Sequence, residues 1–432
     1  MAKSRLMINK VKRGAKAYVR DLRLLTPNAR KYLVGSFFLG MTFASFSLLL
    51  NLYFREKGYN AGFIGSVLSA GAIGMTVAAI PSAIMLSRIR LKPLLIASTL
   101  LYVIASLITI YTESKEIIWA AFFFAGVMTT FYRIGAAPFF MRNSTPTERP
   151  YLFSLSFGIA VIAGVIGSLT FGKLVQLFAT MAAVDMVLAY RLALTIGVLF
   201  SLAALIPIWL LVTPAKIPRE DRLVLDWQAI RPLTGTVFRL TLPYFIVGAG
   251  AGMIIPFLNL FFRDRFGQSP ESIGLYFGMV NLTMFLGVMA APIFVRKVGM
   301  VRTLVFTQLA SIPFMLILAY SFNFPLVFAA FLIRGGLMNM GQPVGTNFAM
   351  EMVPESHHGL MNALLTFAWT SSWMVSTQAG GIIIERHGYT ISLLAAIVLY
   401  IISSLAYYAF FRKSERFTPE GVIIQTDYRM TG

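Results

Sequence analysis

Two arginines stand inside long apolar runs: Arg133 in Thr129-Thr130-Phe131-Tyr132-Arg133-Ile134-Gly135, and Arg334 directly ahead of Gly335-Gly336. A guanidinium stays charged at physiological pH and carries five N–H donors in a planar fork, so in apolar surroundings it requires an anionic or strongly polar acceptor. The chemistry offered is recognition of an anion or zwitterion rather than acid–base catalysis. Tyr132, Asn281, Asn339 and Gln342 are further side chains able to touch a solute, as are Trp369 and Trp373, one helical turn apart. The amides have an equally ordinary use as helix-to-helix hydrogen bonds, and the indoles as lipid-facing bulk. Lys173, near the end of its apolar run, reads as a snorkelling side chain.

What is missing narrows the chemistry. The chain has no cysteine, and its three histidines, His357, His358 and His387, fall in short polar segments, so no disulfide, metal site or cofactor is expected. Nucleophile and base do not converge anywhere, which argues against an enzyme. None of the seventeen acidic residues falls in the middle of an apolar run, so a proton relay through a buried carboxylate has no carrier.

These residues belong to a chain that is 57% hydrophobic and 12% charged, with a mean hydropathy of +0.75, far too apolar for an ordinary soluble domain. Twelve stretches are each long enough to cross about 30 Å of hydrocarbon as a helix. They run 32–54, 62–86, 94–111, 117–141, 152–178, 190–212, 240–262, 273–295, 303–321, 325–350, 360–384 and 390–411. The least apolar break, 213–239, divides six from six. The expected fold is therefore an all-α polytopic membrane protein with two six-helix bundles, 32–212 and 240–411, a basic N-terminal segment 1–31 and a C-terminal tail 412–432.

A formal charge of +20 would suit nucleic acid, but its distribution argues for topology. Lys and Arg crowd the first 31 residues and then recur in every second loop, which places both termini and the 213–239 linker in the cytoplasm of a plasma (inner) membrane protein. The N-terminal segment reads either as an orientation signal or as a helix lying on an anionic leaflet. It is not read as a cleaved signal peptide.

The chain also repeats itself. Leu50-Asn51-Leu52-Tyr53-Phe54-Arg55-Glu56-Lys57 recurs 208 residues later as Leu258-Asn259-Leu260-Phe261-Phe262-Arg263-Asp264-Arg265. The same offset aligns Gly164, Ser168 and Gly172 with Ser372, Ser376 and Gly380, and Pro146 with Pro354. It aligns Arg334 with Gly126, seven residues from Arg133, so the two arginines are expected at depths about 10 Å apart. Two parallel halves related by an axis along the membrane normal are a known transporter plan, with the substrate site at their interface.

On these features the chain resembles the major facilitator superfamily over essentially its whole length. The family's basic motif between helices two and three, repeated between eight and nine, corresponds to Ala83-Ile84-Met85-Leu86-Ser87-Arg88-Ile89-Arg90-Leu91-Lys92 and to Arg296-Lys297-Val298-Gly299-Met300-Val301-Arg302. The first copy lacks both glycines and the aspartate; the second keeps one glycine and has Arg296 at the acidic place. The resemblance implies a gating role for Arg88, Lys92, Arg296, Lys297 and Arg302. It also likens Arg133 to an arginine of the family's fourth-helix motif that takes part in substrate binding or proton coupling.

The expectation is a monomeric secondary transporter that carries a small organic solute, anionic or zwitterionic, by alternating access, with membrane lipids as its surroundings and no nucleic acid partner. The alternative is an exporter of amphipathic drugs or lipids by proton antiport. A channel or a membrane-embedded enzyme stands further off.

Overall fold

The computed structural model describes residues 26–142, 149–181, 184–212, 234–354, 357–418 and 421–424. The expectations for residues 1–25, most of the linker and Pro146 lie outside the described residues. The helices are α1 (Pro27–Glu56), α2 (Ala61–Arg88), α3 (Leu91–Tyr111), α4 (Lys115–Arg142), α5 (Arg149–Met181), α6 (Met186–Trp209), α7 (Thr234–Ile254), α8 (Pro270–Val298), α9 (Met300–Tyr320) and α10 (Phe324–Glu351). Span seven is completed by a 3-10 turn, Ile255–Phe257, and a short helix, Leu258–Phe266.

The run His358–Phe411 has 54 residues, about 80 Å as a straight helix and far more than one crossing needs. Gly388, at φ +79° and ψ 176°, breaks it into α11 (358–387) and α12 (389–411) and turns the chain back. Only glycine adopts that backbone conformation freely. Gly388→Ala is expected to lower thermal stability in detergent by about 1–3 kcal/mol, with Gly359→Ala neutral, since neither added Cβ meets an atom within 4 Å but Gly359 is helical.

Because helices in lipid are apolar on every face, their boundaries come from caps rather than amphipathic pattern. At one end of the bundle, Asn60, Asp185, Ser269 and Asn323 accept from the N–H groups of Phe63, Leu188, Ser272 and Leu326 at 2.9–3.2 Å. That end is called the far end; the other, where Pro27, Arg88, Val298 and Phe411 lie, is the basic end.

Three features add detail to the sequence expectations. The second bundle begins at Thr234, so residues 234–239 of the break are helical: the helix projects beyond its apolar stretch and carries Arg239 outward. Span seven is not continuous, because Pro256 has no N–H to give and its ring crowds the preceding turn. The tail contains a hairpin, with Glu415–Thr418 antiparallel to Gly421–Ile424.

The repeat register is corrected. The 208 offset holds in the first helix of each half, where Asn51 meets Asn259. Past the turn it becomes 209, pairing the positive-φ Gly58 with Gly267 and the cap Asn60 with Ser269. Gly172 therefore corresponds to Gly381, not Gly380, and Arg334 to Ala125, not Gly126. The contacts agree: a Cβ on Gly172 would meet Gly274, and one on Gly381 would meet Gly65. One residue turns a helix by about 100°, so the slip decides which face is meant.

Packing forks along the bundle. At the far end one apolar cluster takes in both halves, with Leu48, Leu52, Phe54 and Ile64 joined to Ile254, Phe257, Leu260 and Phe262. Toward the basic end the core splits into a cluster of the first half (Tyr32, Leu95, Phe139, Ile208) and one of the second (Leu240, Leu304, Phe348, Phe411). The halves are thus packed together at the far end and hold separate cores at the other.

Candidate substrate cavity

Where the cores part lies cavity space in three lobes, two of which share lining residues with the first. Its largest lobe, about 500 Å³, lies within the first half and is walled by aromatics from α1 to α4, among them Tyr32, Phe43, Tyr102, Phe122 and Tyr132, with Arg133 as its cation. A second lobe of about 290 Å³ shares Met75, Phe122 and Arg133 with the first and is completed by Trp369, Thr370, Trp373 and Thr377 of α11. A third, of about 360 Å³, shares Gly40, Phe43 and Ala160 with the first and reaches Asn281, Arg334 and Asn339. Such volumes suit a small organic molecule.

Arg133 is set by α4, where close glycine contact lets this helix lie against α2: a Cβ on Gly126 would stand 2.1 Å from the carbonyl oxygen of Gly71. Its side chain is exposed to the cavity space. Nη1 approaches the soft acceptor Met75 Sδ at 3.8 Å, and among the described residues no carboxylate is bonded to it. Across the second lobe the Trp373 Nε1–H is buried without an acceptor. The Thr370 and Thr377 hydroxyls donate back into their own helix, to Thr366 and Trp373. The lobe therefore presents a guanidinium and an unused N–H, and among the described residues no anion to match them.

Arg334 is placed differently. It is only 4% exposed, gives Nη2–H to the Tyr400 hydroxyl at 2.9 Å, and its Nε–H has no acceptor. Asn339 donates to the Gly335 carbonyl at 3.0 Å, while Asn281 lies against Gly164 of the opposite half. Tyr132 stacks on Tyr32 with ring centroids 5.6 Å apart and hydrogen-bonds Ser36, so it braces the wall on α1. Trp369 bridges Tyr244 and Trp373 at 5.5 and 6.0 Å. Gln342 is the exception among the expected residues: it is exposed near the Tyr244 hydroxyl and lines none of the three lobes. It stands three residues, a little under one turn, beyond Asn339 on α10.

Sequence reasoning missed Met75, Phe122 and Tyr400, which carry no signal beyond being apolar or aromatic in apolar spans. Of the expected gating residues, Lys92 packs over the Trp209 ring at 5.4 Å within its own half. Arg88, Arg296, Lys297 and Arg302 are exposed at the basic end. Lys173 is exposed as well.

Polar links between the halves gather at the far end. Asn51 donates to the Pro256 carbonyl at 2.6 Å, and Asn259 to the Leu48 carbonyl at 2.8 Å. Arg55 pairs with Asp264 at 3.3 Å, and Arg263 with Glu56. Every member has its counterpart in the other half at the 208 offset, so the duplicated octapeptide binds its own copy, as a two-fold contact requires. Glu385 adds acceptors for the Asn60 amide and the Gly62 N–H at 2.8 and 3.1 Å.

Comparison with known proteins matches residues 32–243 and 240–423 to the family described as Major Facilitator Superfamily, once for each half. Among solved structures, the nucleoside transporter NupG superposes with a TM-score of 0.68 at 14% identity, covering 90% of this chain and 99% of that one. A bacterial homologue of the human lysosomal transporter Spinster, in an inward-facing and unoccupied conformation, gives 0.71 at 13% identity over 90% and 97%. A D-xylose–proton symporter gives 0.68 at 14% over 91% and 98%. At this identity the likeness is one of fold. A comparison with curated proteins found no match.

Proposed function

Since the chain belongs to the major facilitator superfamily, we propose that it is a secondary transporter of a small organic anion or zwitterion, held in the central cavity at Arg133. The observation that carries this reading is the Arg133 guanidinium itself, open to the cavity with no carboxylate among the described residues bonded to it. A cation kept in a membrane interior is costly and gains most from a ligand of opposite charge. The unused Trp373 N–H adds a donor on the facing half. Tyr132, Trp369, Asn339 and Gln342 belong to the same proposal as walls and secondary contacts, Gln342 only in a different state of the cycle.

The fork in the core supports alternating access. The far end is closed and the cavity lies on the basic side of that seal; with the basic end cytoplasmic, this is an inward-facing state. Every described acidic residue of the helices lies near a helix end, Glu351 and Glu385 included, so the cycle is expected to run without a buried carboxylate proton carrier. The aromatic first lobe supports a second reading, an exporter of amphipathic anions, drugs or lipids among them.

Purified protein in proteoliposomes, given a panel of organic anions, cations and neutral solutes, tests both. Uptake is expected for anions or zwitterions and is expected to survive collapse of the pH gradient by an uncoupler. Transport confined to cations or sugars would sink the reading; anion transport that stops with the gradient would remove its proton-independent part.

A further inference from the structure

The third lobe enters the argument for Arg133 only through Asn339, and it holds a charge of its own. The Arg334 guanidinium lines it and is 4% exposed. Its one hydrogen bond among the described residues goes to the neutral Tyr400 hydroxyl, and its buried Nε–H has no acceptor. A buried ion with no counter-charge costs several kcal/mol, and a phenol hydroxyl does not offset that. Were Arg334 only a tie between α10 and α12, a neutral donor on the Tyr400 oxygen would serve without the charge.

The surroundings point the same way. Asn281 of α8 and Asn339 of α10 put side-chain amides on the same lobe, and Asn281 stands against Gly164 of α5, where a Cβ would lie 3.2 Å from its Nδ2. The lobe is walled by both halves, α1 and α5 on one side, the Ile255 turn, α8 and α10 on the other. Whatever binds there touches both bodies that rock in an alternating-access cycle.

We infer that the lobe formed by Arg334, Asn281 and Asn339 is a second anion subsite, taking a compact anionic group separately from the one at Arg133. Amide N–H groups beside a guanidinium suit a carboxylate or phosphate oxygen or a chloride ion equally. The source is therefore either a second anionic group of the carried solute or a co-bound inorganic anion. In both cases two negative charges accompany each loaded state, one for each interior arginine. The inference rests on the proposed anion site at Arg133 and deepens it.

Binding to purified full-length protein decides it, read by the fluorescence of Trp369 and Trp373 in the second lobe. The probes are linear monocarboxylates and α,ω-dicarboxylates of increasing length, each titrated in chloride and in methanesulfonate buffer. If the solute supplies the second charge, wild type favours dicarboxylates of one length range over the matching monocarboxylates by about tenfold or more, and Arg334→Gln removes the preference. If an inorganic ion supplies it, chloride tightens monocarboxylate binding by a similar factor, and Arg334→Gln abolishes that dependence. Asn281→Ala, which removes no described hydrogen bond, is expected to weaken the same effect and covers the case in which Arg334→Gln does not fold. No dicarboxylate preference and no chloride effect in wild type, or either effect unchanged in both variants, overturns the inference. Failure of every carboxylate to bind wild type, or binding indifferent to Arg133→Ala, would instead overturn the parent reading.

Discussion

Arg133→Ala is expected to weaken binding of an organic anion by about 100-fold and to reduce transport correspondingly, with the protein folded and stable. Charge-assisted hydrogen bonds contribute about 1.5–3 kcal/mol, and 1.4 kcal/mol is about tenfold in affinity. Stability should change little, because the side chain is exposed to the cavity and its single described contact is the weak one to Met75. Arg133→Lys keeps the charge and loses the fork, so it should recover part of the affinity, whereas Arg133→Gln should resemble alanine. Dissociation constants by tryptophan fluorescence, with uptake measured in parallel, give the series. Unaltered affinity in Arg133→Ala would make the arginine structural and move the site elsewhere.

The second large effect is expected at the far end. Glu56→Arg places like charge beside Arg263 and opens one arm of the reciprocal latch; Arg263→Glu does the same beside Glu56. Combining the two restores an ion pair of reversed sense and should restore the closed end. These pairs are partly exposed, so each contributes at most about 1 kcal/mol. The buried amides matter more: Asn51 and Asn259 are 3% and 0% exposed, and losing either removes a buried hydrogen bond between the halves, at about 0.5–1.5 kcal/mol. Asn259→Ala should therefore shift the population toward a far-side-open state by up to about tenfold. The chain has no cysteine, so Ser47→Cys, an exposed position of the third lobe, provides one reporter thiol without further changes. Labelling by an impermeant maleimide from the far side should be slow in the parent, faster in Glu56→Arg and Asn259→Ala, and slow again in the charge swap. Equal rates in all of them would show that the octapeptides close nothing.

The latch also shows where sequence reading stopped. The octapeptide was visible as a repeat, and an Arg–acid dipeptide present in both copies already contains the crossed pairing, because under a two-fold axis each arginine meets the other copy's acid. Reading it only as evidence of duplication left its contact unstated. Gln342 lies outside the three lobes for another reason: a polar residue in an apolar span announces that it needs a partner, but not on which side of the helix the partner lies.

Composition determined that this chain lives in lipid, because no water-soluble core could take up so much apolar surface. Segment length determined about twelve crossings, the repeat determined two halves, and the cost of an intramembrane charge singled out Arg133 and Arg334. Those properties are local or additive along the chain, so one dimension holds them. What the tertiary structure decided depends on rotation about helix axes and on distant partners. One extra residue between Arg265 and Gly267 moves the offset from 208 to 209 and turns the matching helix faces. Tyr400 lies 66 residues beyond Arg334 and is the hydroxyl it meets. Two arginines alike in sequence thus became one facing open space and one enclosed, because a side chain's surroundings are set by the helices packed against its own.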